Sequence, residues 1–118
     1  MTPTQEEKLA ATRDRMGELA HKFTERTRGE IEVIRARLAA LGAGDTAVLG
    51  EIRHLAHRIC GTGATLGFEA VADHAHEIEK LAAAHLPDHQ PDAAAMHKLA
   101  QAVDAMAREL SRKDSLGE

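Results

Sequence analysis

The chain has 118 residues, 43% of them hydrophobic but only 2% aromatic, and a formal net charge of −4. This length suits a single domain over 1–118, with the core of the fold expected at about 19–112. With so few aromatic residues, the core must rely on Leu, Ile, Val, Met and Ala, which favours packed helices over a sheet. A nucleic-acid binder normally presents a basic face, so the acidic balance argues against a nucleic-acid partner.

The composition also indicates a cellular compartment. The single cysteine, Cys60, permits no internal disulfide and fits a reducing environment. No apolar run is long enough to cross a membrane, and the first residues lack the apolar stretch of a secretion signal. We therefore expect a cytoplasmic protein without membrane association.

The first 42 residues carry two blocks of helically spaced apolar side chains. The first block contains Leu9, Met16, Leu19, Ala20 and Phe23, and the second contains Ile31, Ile34, Leu38 and Leu41. Gly29 lies between the blocks and predicts a bend, so we expect one helix over 5–27 and another over 29–42. A single unbroken helix is the alternative, because one Gly costs only about 1 kcal/mol in a helix interior.

Three further helices are predicted in the rest of the chain. Asp45 or Thr46 caps a helix that runs to about residue 64, and Gly67 separates it from a helix over 68–84. Residues 86–91 form the clearest loop, and Asp92 then caps the last helix. Because short connections make neighbouring helices antiparallel, the expected fold is all-α, an up-down four-helix bundle with an additional N-terminal helix.

One histidine lies on the outer wall of the helix before Gly67. The apolar residues of this helix form one stripe: Val48, Leu49, Ile52, Leu55, Ala56, Ile59 and Gly63. At about 100° per residue, His57 falls roughly 130° from the centre of that stripe. His54 and Gly61 lie on the same outward side. An imidazole beside a bare glycine backbone can be approached by a protein as well as by a small molecule.

Five residues around the end of this helix share the spacing of a known motif: His57, Ile59, Gly61, Gly67 and Phe68. They resemble the motif of histidine phosphotransfer (HPt) domains of two-component phosphorelays. That motif is a histidine, then Leu or Ile, Lys or Arg, and Gly, with a second Gly six residues later. Ile78-Glu79 stands where the family usually has an apolar residue and Glu, and the resemblance covers about 19–110. Cys60 departs from it, since the family has Lys or Arg at that position.

The resemblance implies that His57 accepts a phosphoryl group from the aspartate of a response-regulator receiver domain and passes it on. Neutral imidazole, the main form of histidine at pH 7, is a suitable nucleophile. Glu79 would accept a hydrogen bond from His57 Nδ1 and leave Nε2 free to attack. The implied protein is a phosphocarrier without kinase activity or a cofactor of its own. Mg²⁺ would belong to the receiver.

The resemblance also implies a docking surface and partners. His54, Gly61 and His76 would border the surface on which the receiver closes, and Gly61 would leave room for it. Arg53 and Arg58 would partly replace the positive charge of the Lys or Arg that the family has at the position of Cys60. The expected partners are receiver domains and a hybrid sensor kinase, and a monomer suits a carrier that docks two partners in turn.

Three alternatives stay open at this point. A phosphorylation-independent adaptor on the same fold would bind receivers without transfer, which the Cys60 departure allows. Glu18-x-x-His21 and Glu51-x-x-His54 have the spacing of di-iron carboxylate proteins and suggest a metal-binding bundle, although the second pair faces away from the apolar stripe. His76-Glu77-Ile78 suggests the dimerisation domain of a histidine kinase, but Leu81 stands where that motif has proline.

Overall fold

The computed structural model describes residues 4–116, and the regular structure over that range is entirely helical. The elements in order are α1 (Gln5–Gly42), a 3-10 turn (Thr46–Val48), α2 (Leu49–Thr65), α3 (Glu69–Ala83) and α4 (Ala93–Leu116). The all-α prediction is confirmed, and the predicted bounds of the last three helices agree closely with the observed ones. None of the helices over 4–116 combines the length and apolar character needed to span a bilayer.

The first helix differs from the prediction. α1 is one continuous helix of 38 residues, so the predicted bend at Gly29 is wrong and the unbroken alternative is correct. Thr27 and Ile31 are buried on either side of Gly29, and their packing outweighs the cost of about 1 kcal/mol for one helical glycine. The additional N-terminal helix of the predicted fold is therefore not a separate element. It is the beginning of α1.

This beginning of α1 extends beyond the other helices. Residues 4–19 are all exposed, Ala20 is half-buried, and Phe23 is the first buried residue. Leu9, Met16 and Leu19 were predicted to continue the apolar stripe, but they are 53%, 44% and 43% exposed. At 1.5 Å per residue, the exposed stretch projects by about 25 Å.

The four helices enclose one apolar core. Each helix contacts the next along the chain, and α4 contacts α1. The largest fully buried side chains include Phe23, Ile34, Leu41, Leu49, Ile52, Ile59, Ile78, Leu99, Met106 and Leu110. Two ion pairs, Arg28 with Asp114 and Arg35 with Asp104, show that α1 and α4 run antiparallel. All four side chains are exposed, so these pairs contribute little to stability.

The turn between α2 and α3 positions the candidate site. Phe68 N–H donates to Gly63 O at 2.8 Å and Gly67 N–H to Ala64 O at 3.4 Å, the two bonds of a Schellman motif. Gly67 has φ +85°, a conformation that favours glycine. Phe68 is buried, and its ring centroid lies 4.8 Å from that of Phe23 on α1. The turn therefore fixes α3 against both α2 and α1.

Two glycine substitutions should have opposite effects on stability. Gly29→Ala should raise the free energy of unfolding by about 1 kcal/mol, because the position is helical and an added Cβ meets no atom within 4 Å. Gly67→Ala should lower it by about 1–2 kcal/mol, because alanine is strained at positive φ. Urea unfolding followed by circular dichroism measures both values. A loss of stability in Gly29→Ala would indicate a bend at that position in solution.

Candidate functional site

His57 lies in the middle of α2 on its outward side, with 67% of its side chain exposed. Ala56 and Ile59, its neighbours on the apolar side of the helix, are fully buried. The helix is thus anchored by one side while the imidazole stands in solvent on the other. The outward position that the helical spacing predicts for His57 is confirmed.

Glu79 on α3 contacts one nitrogen of this ring. Its Oε2 lies 2.6 Å from His57 Nδ1, and the Glu79 side chain is only 14% exposed. An ionised carboxylate can only accept hydrogen bonds, so the contact assigns the proton to Nδ1, which donates it. Nε2 then carries the lone pair. Ile78, the preceding residue on α3, is fully buried and anchors this part of the helix in the core.

The second oxygen of Glu79 faces another imidazole. His76 precedes Glu79 by one turn of α3 and is exposed, with its Nδ1 3.6 Å from Glu79 Oε1. This distance is too long for a hydrogen bond. Glu79 is therefore bonded to His57 and has a weaker, electrostatic contact with His76 when that imidazole is charged.

The other side of His57 is open. An added Cβ at Gly61, one turn after His57, would meet no heavy atom within 4 Å. His57, Arg58 and Gly61 line a shallow groove between α2 and α1, which is completed by Leu19, Arg26, Thr62, Thr65 and Leu66. A large group can therefore approach the ring from the α1 side.

Five residues of this groove were not predicted as site residues: Thr62, Thr65 and Leu66 near the end of α2, and Leu19 and Arg26 on α1. Leu19 and Arg26 lie two turns apart on the same side of α1, and Arg26 Nε donates to Glu30 Oε1 at 3.1 Å. Their seven-residue spacing is visible in the sequence. The sequence does not show that this side of α1 lies beside His57, because that placement depends on long-range packing.

The remaining predicted residues lie on the outer surface. Arg53 and His54 are exposed on α2 and are not among the residues that line the groove in the described chain. Glu51 pairs with Arg37 of α1 at 2.7 Å. Glu18 and His21 are exposed on α1, so the two Glu-x-x-His motifs do not meet inside the bundle. Within residues 4–116, no three potential metal ligands come together.

A comparison with known families agrees with this geometry. The sequence model described as Hpt domain matches residues 18–109. The chain belongs to the Hpt domain family. Hpt domains are phosphocarrier modules that carry out histidine phosphotransfer in two-component phosphorelays, where they interact with receiver domains and kinases. The family prediction is thus confirmed. No curated protein and no solved structure matches the chain.

This Hpt domain has a thiol where the family motif has Lys or Arg. Cys60 is half-buried against the core. Burial raises the pKa of its thiol, and the nearby carboxylates of Glu79 and Asp73 raise it further. Cys60 is therefore neutral at pH 7, and any positive charge beside His57 must come from other residues.

The contact between Glu79 and His57 should determine the tautomer of the ring. In the wild-type Hpt domain, ¹⁵N NMR above pH 8, where imidazole is neutral, should show His57 protonated at Nδ1. Glu79→Ala should return the ring to a mixture of tautomers, because the acceptor is lost. Glu77→Ala, on an exposed position of the same helix, is the matched control and should change nothing. An unchanged His57 spectrum in Glu79→Ala would contradict the assignment.

Proposed function

We propose that this Hpt domain carries a phosphoryl group on His57, which it accepts from the aspartyl phosphate of a receiver domain and passes on. The observation that carries the proposal is the 2.6 Å contact from His57 Nδ1 to Glu79 Oε2 on a ring that is otherwise exposed. A nucleophile needs an accessible lone pair, and holding the proton on one nitrogen frees the lone pair of the other.

The proposed transfer is an in-line displacement at phosphorus. Nε2 of His57 attacks the phosphorus, the N–P bond forms as the P–O bond breaks, and the receiver aspartate leaves as a carboxylate. The ring becomes cationic while Nδ1 keeps its proton, and Glu79 stabilises that cation, as a carboxylate does beside a catalytic imidazolium. The reverse step passes the group to the next receiver. Mg²⁺ bound by the receiver would neutralise part of the phosphoryl charge.

The wider setting follows from the same proposal. The partners would be receiver domains and a hybrid sensor kinase, and the chain would act in the cytoplasm as a monomer without kinase activity. His54, Gly61 and His76 would border the docking surface. We also propose the up-down order of the bundle, which the antiparallel ion pairs between α1 and α4 support.

Labelling experiments test the phosphoacceptor. Incubation with a phosphorylated receiver domain should give the wild-type chain acid-labile phosphate, and His57→Gln should gain none. His97→Gln is the matched control, because it removes an exposed imidazole of α4 that lies outside the proposed docking surface, and it should label like wild type. Label that survives in His57→Gln would refute the proposal. Receiver binding without any labelling of the wild type would instead indicate the adaptor.

A second experiment asks which arginine replaces the missing basic residue. Arg58 lines the groove beside His57, whereas Arg53 does not. Arg58→Gln should slow transfer from the receiver by about tenfold, the scale of one lost charge-assisted hydrogen bond. Arg53→Gln, the matched control on the same helix, should change the rate by less than about twofold. Equal rates for the two variants would rule out a specific role for Arg58.

A further inference from the structure

Arg26 of α1 is held at the edge of the groove beside His57 by a hydrogen bond within its own helix. Its Nε donates to Glu30 Oε1 at 3.1 Å, one turn further along α1. The Glu30 side chain is only 13% exposed, and its second oxygen, Oε2, is buried and has no hydrogen-bond partner in the described chain. A buried carboxylate needs a positive charge beside it, so Glu30 keeps the guanidinium of Arg26 in place.

The bond to Glu30 leaves most of the donors of Arg26 unused. A guanidinium carries its N–H donors in a rigid planar fork, and only the donor on Nε is bonded to Glu30. The Nη donors of Arg26 have no hydrogen-bond partner within residues 4–116. Because the side chain is 48% exposed, these donors are accessible to a ligand. Paired Nη donors suit the oxygens of a phosphoryl group, which they can bind bidentately.

The charged side chains that line the groove are both basic. The lining consists of Leu19, Arg26, His57, Arg58, Gly61, Thr62, Thr65 and Leu66. Arg58 belongs to the same helix as His57, whereas Arg26 reaches the groove from α1. The carboxylate of Glu79 contacts the other side of the ring, toward α3. An anion on Nε2 would therefore be attracted toward α1, where Arg26 lies.

We propose that Arg26 binds the phosphoryl oxygens on His57 and takes over, from α1, the part that the basic residue of the family motif plays on the histidine helix. This rests on the proposed function, because it needs a phosphoryl group on Nε2. Glu30 balances part of the charge of Arg26, so the arginine contributes mainly through its paired Nη donors. Arg58 adds positive charge on the same side of the ring.

Two small reagents separate an effect on the phosphoryl group from an effect on the imidazole, and neither needs a partner protein. With phosphoramidate, Nε2 attacks the phosphorus, the P–N bond breaks and ammonia leaves with the proton already on its nitrogen. With diethyl pyrocarbonate, a neutral electrophile, Nε2 attacks a carbonyl carbon, a C–O bond breaks, ethyl carbonate leaves and the ring proton goes to water. Peptide mass spectrometry at neutral pH follows the modification of His57 by each reagent in the full chain.

Arg26→Gln should slow the phosphorylation of His57 by phosphoramidate by about tenfold, the scale of one charge-assisted hydrogen bond. Its reaction with diethyl pyrocarbonate should stay within about twofold of wild type. Arg26→Lys should recover only part of the lost rate, because lysine restores the charge but not the paired donors. Arg35→Gln is the matched control, since it also removes an exposed arginine of α1 from an ion pair, here with Asp104 of α4. It should match wild type with both reagents.

Equal phosphorylation of wild type and Arg26→Gln by phosphoramidate would overturn the inference and leave His57 as the phosphoacceptor. A slower reaction of Arg26→Gln with diethyl pyrocarbonate would also overturn it, because the substitution would then act on the imidazole itself. The same loss in Arg35→Gln would have that consequence too, since it would indicate an effect of overall charge. If the wild type takes label from neither phosphoramidate nor any receiver, the proposed function fails. That result is distinguishable, because it concerns the wild type rather than a variant.

Discussion

The hydrogen bond from His57 Nδ1 to Glu79 Oε2 joins two helices and determines which nitrogen of the exposed ring carries the proton. It forms because α2 and α3 are held together by buried residues behind it, among them Ile59 and Ile78, and by the Gly67 turn at their common end. The carboxylate is mostly buried and the imidazole mostly exposed. Such a bond keeps the proton on the inner nitrogen and leaves the outer one to solvent, before any partner is bound.

The charges around His57 are arranged asymmetrically. On the α3 side lie the carboxylates of Glu79 and Asp73, which raise the pKa of Cys60 and would repel phosphoryl oxygens. On the α1 side lie Arg26 and Arg58, beside the empty space at Gly61. Under the proposed function, a phosphoryl group on Nε2 would therefore be stabilised toward α1. Cys60, which stands where the family has a basic residue, lies near the carboxylates of Glu79 and Asp73. A positive charge at position 60 would therefore be close to these two carboxylates.

The part of the site that lies on α2 could be predicted from local patterns, because the spacing of residues within one helix determines which of them face outward. Helical spacing gives the outward side of His57, and positive φ at a helix end requires a glycine such as Gly67. The family resemblance added Glu79, whose contact the packing of α2 and α3 then supplies. The sequence could not decide between a bent and a continuous α1, since the glycine penalty of about 1 kcal/mol is outweighed by packing that the sequence does not show. Leu19 and Arg26 were missed for a related reason, because their place beside His57 depends on residues far apart in the chain.

A phosphate carrier with two partners benefits when the residues that hold the histidine proton are different from those that contact the partner. In this chain the hydrogen bond that holds the His57 proton lies between α2 and α3, whereas the open groove lies on the α1 side of His57. Under the proposed function, substitutions on α1 would alter receiver docking without disturbing the proton on Nδ1. Under the proposed function, docking over this groove would belong to the transient class of protein interfaces, because the carrier must exchange partners. Such docking would allow each receiver to leave after transfer, as the proposed relay between two partners requires.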